Sequence, residues 1–384
     1  MPFWPACTRE QRSRARLGHR ARPGELAAID SVTQGLLGAA VGQAGFTGKL
    51  GRRALVWGAI GGLLPDLDVL VAAGQDPFAE FVYHRGFTHS LWFGPVAGPI
   101  IGWAIWRFYR WRGRAGPGEP GESSALSAWM GLMALALFTH PLIDVFTSYG
   151  TQLLAPFSRA RFALDAVAIV DFTYSSILAL GLVFGCFLHR RGKSPQAVAI
   201  AALILSWSYL GYGWWLNERA EASIAEELVA SGHAPDQVNS YPTFVQPFLR
   251  RFVARSDDRL WVGLHTPLDG GATVWTEFIS ADSHPLVERL MQTPRGRVFN
   301  WFAMGEIAAR VRPTVDGFGV EIDDLRYGFP GRPEYGMWGI RGVFGDDLEL
   351  VSPVERTRHR ARTGLGPRDL WRAMWGDFTT SKKP

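Results

Sequence analysis

Residues 126–146 read LSAWMGLMALALFTHPLIDVF. At 1.5 Å per residue, a helix of that length crosses the roughly 30 Å hydrocarbon core of a bilayer. The run carries no charge until Asp144, and near its end stands His140. Ionisable groups at membrane depth are costly and need a reason. On a helix a four-residue spacing stacks His140 and Asp144 on one face. There they can share a metal ion, or the acid can orient the imidazole; a hydrogen-bonded pair that pins two helices is the other reading.

Segments 91–109, 172–188 and 197–216 have similar character, the last ending near Trp214 and Trp215. Segments 31–46 and 54–71 are shorter and rich in Gly and Ala, and the second is broken by Pro65, Asp66 and Asp68. Together they predict a mainly α-helical polytopic membrane domain of about six helices over residues 30–216. Basic residues cluster in three loops, at Lys49, Arg52 and Arg53, at Arg107, Arg110, Arg112 and Arg114, and at Arg190, Arg191 and Lys193. With six crossings all three loops fall on one side, which the positive-inside rule makes the cytoplasm. Asp30, Asp66, Asp68, His84, His89, the end of the His140 helix and everything after Leu216 then lie outside.

The composition agrees. Of 384 residues 47% are hydrophobic, and the net charge of +5 comes from arginines flanking apolar runs, which orients helices and does not require a nucleic acid. Only Cys7 and Cys186 are present, too few for a disulfide framework or a cysteine zinc site. Residues 1–29 hold Arg9, Arg12, Arg14, Arg16, Arg20 and Arg22 without the apolar core of a signal peptide, and are expected to form a disordered basic extension. Past Leu216 the pattern changes. Residues 217–228 read as an amphipathic helix leaving the membrane. Alternation at 259–265, 272–279, 320–327 and 337–343, with a helical stretch at 284–311, predicts a soluble α+β domain over 217–384.

HRGFTHS, residues 84–90, brings His84 and His89 to the edge of an apolar run. Five residues is a poor spacing for one helical face, but Gly86 permits a turn between them. Thr88 can cap the helix that follows, and Arg85 is placed to meet a phosphate or carboxylate. In PDLD, residues 65–68, Asp66 and Asp68 converge if the segment is extended and diverge if it is helical. The expected topology gathers all these groups at one face of the bilayer. Histidine nitrogens with carboxylate oxygens suit zinc first, then manganese or iron.

DSVTQGLLGAAVG, WGAIGGLLPDLDVL, YHRGFTHSLWF and THPLIDVFTSYGTQLLAPFS occur in that order and resemble the inner-membrane metal-dependent hydrolase family (YdjM-like). The resemblance covers residues 30 to about 180, and YPTFVQPFLRRF near residue 245 resembles an extended branch. More distantly the family resembles zinc phospholipases C and single-strand nucleases. The resemblance implies a bacterial inner membrane protein with metal ligands among Asp66, Asp68, His84, His89, His140 and Asp144. Gln34 departs from it, because many relatives have histidine there.

The expected function is metal-dependent hydrolysis of a phosphoester in a membrane lipid or lipid-linked substrate, with Asp68 as general base or second ligand and Arg85 holding the anionic group. Two other classes compete. One is an ion or metal transporter, against which stand the lack of an inverted repeat and the clustering of polar groups at one interface. The other is a scaffold with a structural metal and protein partners. His233, His265, His284 and His359 are scattered and read as ordinary residues.

Overall fold

The computed structural model describes residues 25–72, 76–113, 122–243, 246–268, 271–329, 332–359 and 367–378. Most of the basic extension, residues 1–24, lies outside them, and helix α1 (Glu25–Gly45) already covers its last five positions. Next come α2 (Arg53–Leu63), a 3-10 turn (Pro65–Asp68), α3 (Phe93–Trp111), α4 (Glu122–Asp144), α5 (Phe172–Arg190) and α6 (Gln196–Ala230).

Small residues set the spacing of this bundle. A Cβ added at Gly38 would lie 2.1 Å from the Gly58 carbonyl oxygen, and one at Gly62 would lie 2.3 Å from that of Gln34. The backbones of α1 and α2 therefore touch, the close approach that small residues give membrane helices. Gly94, Gly98 and Gly102 of α3 do the same against Phe138, Ala134 and Met130 of α4. Meanwhile Trp92, Val96, Ile100 and Trp103 point outward along the opposite side.

Four helical stretches among the described residues are long and apolar enough to cross a membrane: Arg53–Ala72, Ser123–Asp144, Phe172–Arg190 and Gln196–Ala230. The other two of the expected six, α1 and α3, fall short of that measure. Prolines and arginines dilute α3, and Gln34, Gln43 and glycines dilute α1; both nevertheless run antiparallel to a qualifying neighbour. The basic loops gather at one end. There Trp57 donates to Tyr109, the Arg53 guanidinium lies 4.5 Å from the Tyr109 ring, and Gln43 reaches Cys186.

The C-terminal part holds two antiparallel four-stranded sheets. The first runs β1 (Gln237–Pro242), β2 (Arg250–Ser256), β3 (Arg259–His265), β4 (Thr273–Ile279). Helices α7 (Pro285–Gln292) and α8 (Pro294–Ala303) then lead to β5 (Ile307–Thr314), β6 (Gly317–Asp324), the hairpin β7 (Gly328–Phe329) and β8 (Arg332–Gly336), β9 (Trp338–Phe344), β10 (Glu355–Arg358) and α9 (Pro367–Met374). The second sheet has the order β10-β9-β6-β5. The helical stretch expected through Val311 stops early. Met304 and Gly305 adopt positive φ (54° and 81°), and Ile307 to Thr314 pair with β6 instead.

This part is wedded to the helical one. Phe78, Phe81 and Tyr149 belong to the core formed by Leu290, Phe299, Phe302, Ile322 and Ile340. Phe81 stacks on Phe302 with ring centroids 4.1 Å apart, and fully burying one such ring contributes about 1.5–3 kcal/mol. Arg326 donates to the Ser148 and Tyr149 carbonyls, Trp301 to that of Arg159, and Arg250 to that of Asp165.

Burial pushes the Asp165 carboxyl up to about 6. An acid whose folded pKa is raised destabilises the fold once ionised, so stability is lost as pH rises from about 4 to 6. A rise of that size corresponds to about 3 kcal/mol. Asp165 has φ 49°, which asparagine tolerates. Asp165→Asn is therefore expected to melt higher than the parent protein at pH 7.5, with the gain vanishing near pH 4. Thermal melts across that range check it; a gain independent of pH would contradict it.

Candidate metal centre

The break that ends α2 creates the site. Pro65 opens a 3-10 turn in which Asp66 and Asp68 diverge, as two residues apart on a helix must. His140 and Asp144 come from the last turn of α4, and His89 closes a 3-10 turn formed by Phe87–His89.

The two imidazoles meet head to head, His140 Nε2 lying 2.9 Å from His89 Nε2. His140 Nδ1 is 2.6 Å from the Gly62 carbonyl oxygen, which can only accept, so Nδ1 carries the proton. His89 Nδ1 faces Asp68 Oδ2 at 3.2 Å and the Thr88 hydroxyl at 3.1 Å, and its proton is committed there. Both Nε2 lone pairs are thereby turned toward one point. Asp66 Oδ1 stands 3.4 Å from each of them. Asp144 Oδ2 stands 3.3 and 3.5 Å from them, is shielded from solvent, and has no hydrogen-bond partner.

Four acceptor atoms converging in a buried space repel one another unless a cation lies among them. A single proton shared by the imidazoles would satisfy those two and leave Asp144 Oδ2 without a donor. A divalent ion fits better. Asp66, His89 and His140 offer ligand atoms all within 4.8 Å of one another. Their separations of 2.9 and 3.4 Å are those of atoms each about 2.0–2.2 Å from a common centre. Each imidazole also gives its far N–H to a carbonyl or carboxylate, the arrangement that orients metal-binding histidines.

The other expected residues occupy different places. Asp68, anticipated as ligand or base, spends its oxygens on His84 Nδ1 (2.9 Å), the Arg85 backbone N–H (3.0 Å), the Thr88 hydroxyl (3.1 Å) and His89. It is an orienting carboxylate. His84 sits one layer out, between Asp68 and the Tyr149 ring at 5.3 Å. Thr88, expected to cap a helix, donates to Asp68 instead.

Arg85, expected to await an anion, is 1% exposed. Its guanidinium reaches the Asp144 carboxylate at 3.4 Å, Thr147 at 2.6 Å and the Asp144 carbonyl at 3.3 Å, and lies 5.0 Å from the Tyr149 ring centre. The turn permitted by Gly86 is made by Arg85 itself, at φ 56°. Such a conformation costs on the order of 1–3 kcal/mol and is held by Asp68 on its N–H and Gln152 on its carbonyl. Gln34 proves to be part of the centre, donating to Asp144 Oδ1 at 2.9 Å and so aiming Oδ2 at the imidazoles. Its departure from the expected histidine was the signal for it. Gly62, which acts through its carbonyl, left none.

A family model described as YdjM inner membrane protein matches residues 29–220 and so contains every residue of the centre. The uncharacterized protein YfhP of Bacillus subtilis (strain 168) is 29% identical over 154 residues, a match spanning 39% of this chain and 40% of that protein. No solved structure matches the chain.

Proposed function

The chain belongs to the YdjM inner membrane protein family, and on that footing we propose that it is a membrane-bound, metal-dependent hydrolase of a phosphoester in a lipid or lipid-linked substrate. The observation that carries this reading is the convergence of His89 Nε2, His140 Nε2, Asp66 Oδ1 and Asp144 Oδ2, with the far nitrogen of each imidazole already engaged. Asp66, His89 and His140 hold the ion, and Asp144 supplies a further oxygen. Asp68, Gly62 and Gln34 fix the directions of these groups. A divalent ion bound there supplies Lewis acidity toward water and a phosphoryl oxygen. With Arg85 neutralising Asp144, stabilisation of a substrate anion falls to the ion and not to that arginine.

Access is from the Asp66 side. Its side chain is 14% exposed, against 0% for both imidazoles. Leu67, Leu70, Val71 and Phe87, all exposed, flank it in sequence or in the next turn. Apolar surroundings at the end of two candidate spans favour a substrate delivered from the bilayer. Chelator-sensitive release of a water-soluble phosphate from bacterial lipid extract by purified protein is the expected result. Uptake of metal or protons into proteoliposomes, with no turnover on a broad phosphodiester panel, would replace the hydrolase with a transporter.

Orientation follows from charge. The basic loops lie at the end of the bundle away from the centre, so the positive-inside rule assigns the centre and the C-terminal domain to the outside. A single engineered Asp346→Cys, at an exposed turn, should be labelled by an impermeant reagent in intact cells. Protection until the cells are opened would reverse the assignment.

A further inference from the structure

Helix α9 packs through Ala373, which shares a small core with Leu249, Leu264 and Phe378. Its other side is open. Trp371 is 61% exposed, and Trp375, in the turn just after the helix, is 52% exposed with its ring centroid 6.2 Å from that of Trp371; Arg368 and Arg372 beside them are exposed as well. Among the described residues every other exposed tryptophan lies in the helical part: Trp92, Trp103, Trp111, Trp214 and Trp215.

The position of α9 accounts for this. Leu249 is followed by Arg250, whose guanidinium donates to Asn217 of α6 and to the Asp165 carbonyl. Thr266, at the end of β3, donates to the Met374 carbonyl at 2.7 Å. The helix is thus tied, through Leu249 and Arg250, to the turn of α6 that carries Asn217, and Trp214 and Trp215 come only about 3–5 Å along the axis before that residue at 1.5 Å per residue. Over Trp215, 5.1 Å from its ring centre, lies the Arg219 guanidinium. Indoles and arginines at the same level are what a bilayer interface selects, the rings seated among headgroups and the cations reaching phosphates.

We propose that the Trp371 and Trp375 face of α9 and the turn after it rests on the lipid surface and docks the C-terminal domain onto the membrane that its own helices enter. The occupant is the anionic headgroup layer. Arginines flanking the indoles attract that layer and repel the same face of a second copy. Docking here also fixes the domain that packs on Tyr149, and through it the layer of His84 and Arg85 around the centre.

Nitroxide labels on full-length protein in phosphatidylethanolamine–phosphatidylglycerol vesicles test this. Trp371→Cys and Trp375→Cys are labelled separately in a Cys7→Ser, Cys186→Ala background, so one indole remains in each variant. Val315→Cys, at the fully exposed β5–β6 turn, is the aqueous control. The labels at 371 and 375 should both collide more with oxygen and less with a water-soluble nickel chelate than the label at 315. Nickel accessibility equal to that of the control would overturn the proposal, and so would shielding from both reagents, which means a protein surface covers the face.

Discussion

His140→Ala should bring bound divalent metal down to background while the C-terminal domain stays folded. The side chain is fully buried, and it gives Nε2 to the cluster and Nδ1–H to Gly62. Losing a ligand outright should weaken binding by more than the roughly 10–100-fold typical of losing an orienting partner. Asp68→Asn defines that lower step, because it leaves Asp66, His89 and His140 in place while disturbing the proton on His89 Nδ1. Metal content of the purified variants, with His265→Ala and His359→Ala as controls, reads the series. Equal metal in all four would mean that the cluster is only a hydrogen-bonded pin between helices.

The second large effect is expected at Gly62, where fold and centre meet. Glycine to alanine inside a helix ordinarily gains up to about 1 kcal/mol. Here the added Cβ would lie 2.3 Å from the Gln34 carbonyl oxygen, so α1 and α2 must part. Overpacking of this kind costs about 1–3 kcal/mol, which reverses the sign. Separation also moves the Gly62 carbonyl away from His140 and Gln34 away from Asp144, so metal affinity should fall with stability. Gly58→Ala makes a similar clash, 2.3 Å from the Gly38 oxygen, without touching a partner of His140. It should therefore lose comparable stability but less affinity. Thermal melting and metal titration of both variants separate the two effects, and a more stable Gly62→Ala protein would contradict the packing.

How far the sequence carries can be seen at particular residues. His140 and Asp144 stand out in it, because an ionisable pair four apart in an apolar run is too costly to be incidental. Strands β3, β4 and β9 follow from their alternation. The role of Asp68 turns on whether residues 65–68 are extended or helical, and the 3-10 turn sends it away from Asp66, to His84 and His89. The burial of Arg85 depends on Asp144 and Thr147, some sixty residues away, and no local pattern carries that. Strand β2 is hidden because Arg250 and Arg251, normally surface signals, are buried there.

Everything rests on a cation between His89 and His140, and equilibrium titration of the metal-stripped wild-type protein with zinc, manganese and iron(II), followed by X-ray absorption of the tightest complex, tests it most directly. Saturable binding with imidazole nitrogen in the coordination sphere, lost in His140→Ala, is the expected outcome. No saturable binding of any of the three, or binding unchanged by that substitution, would show that the two imidazoles share a proton and not a metal.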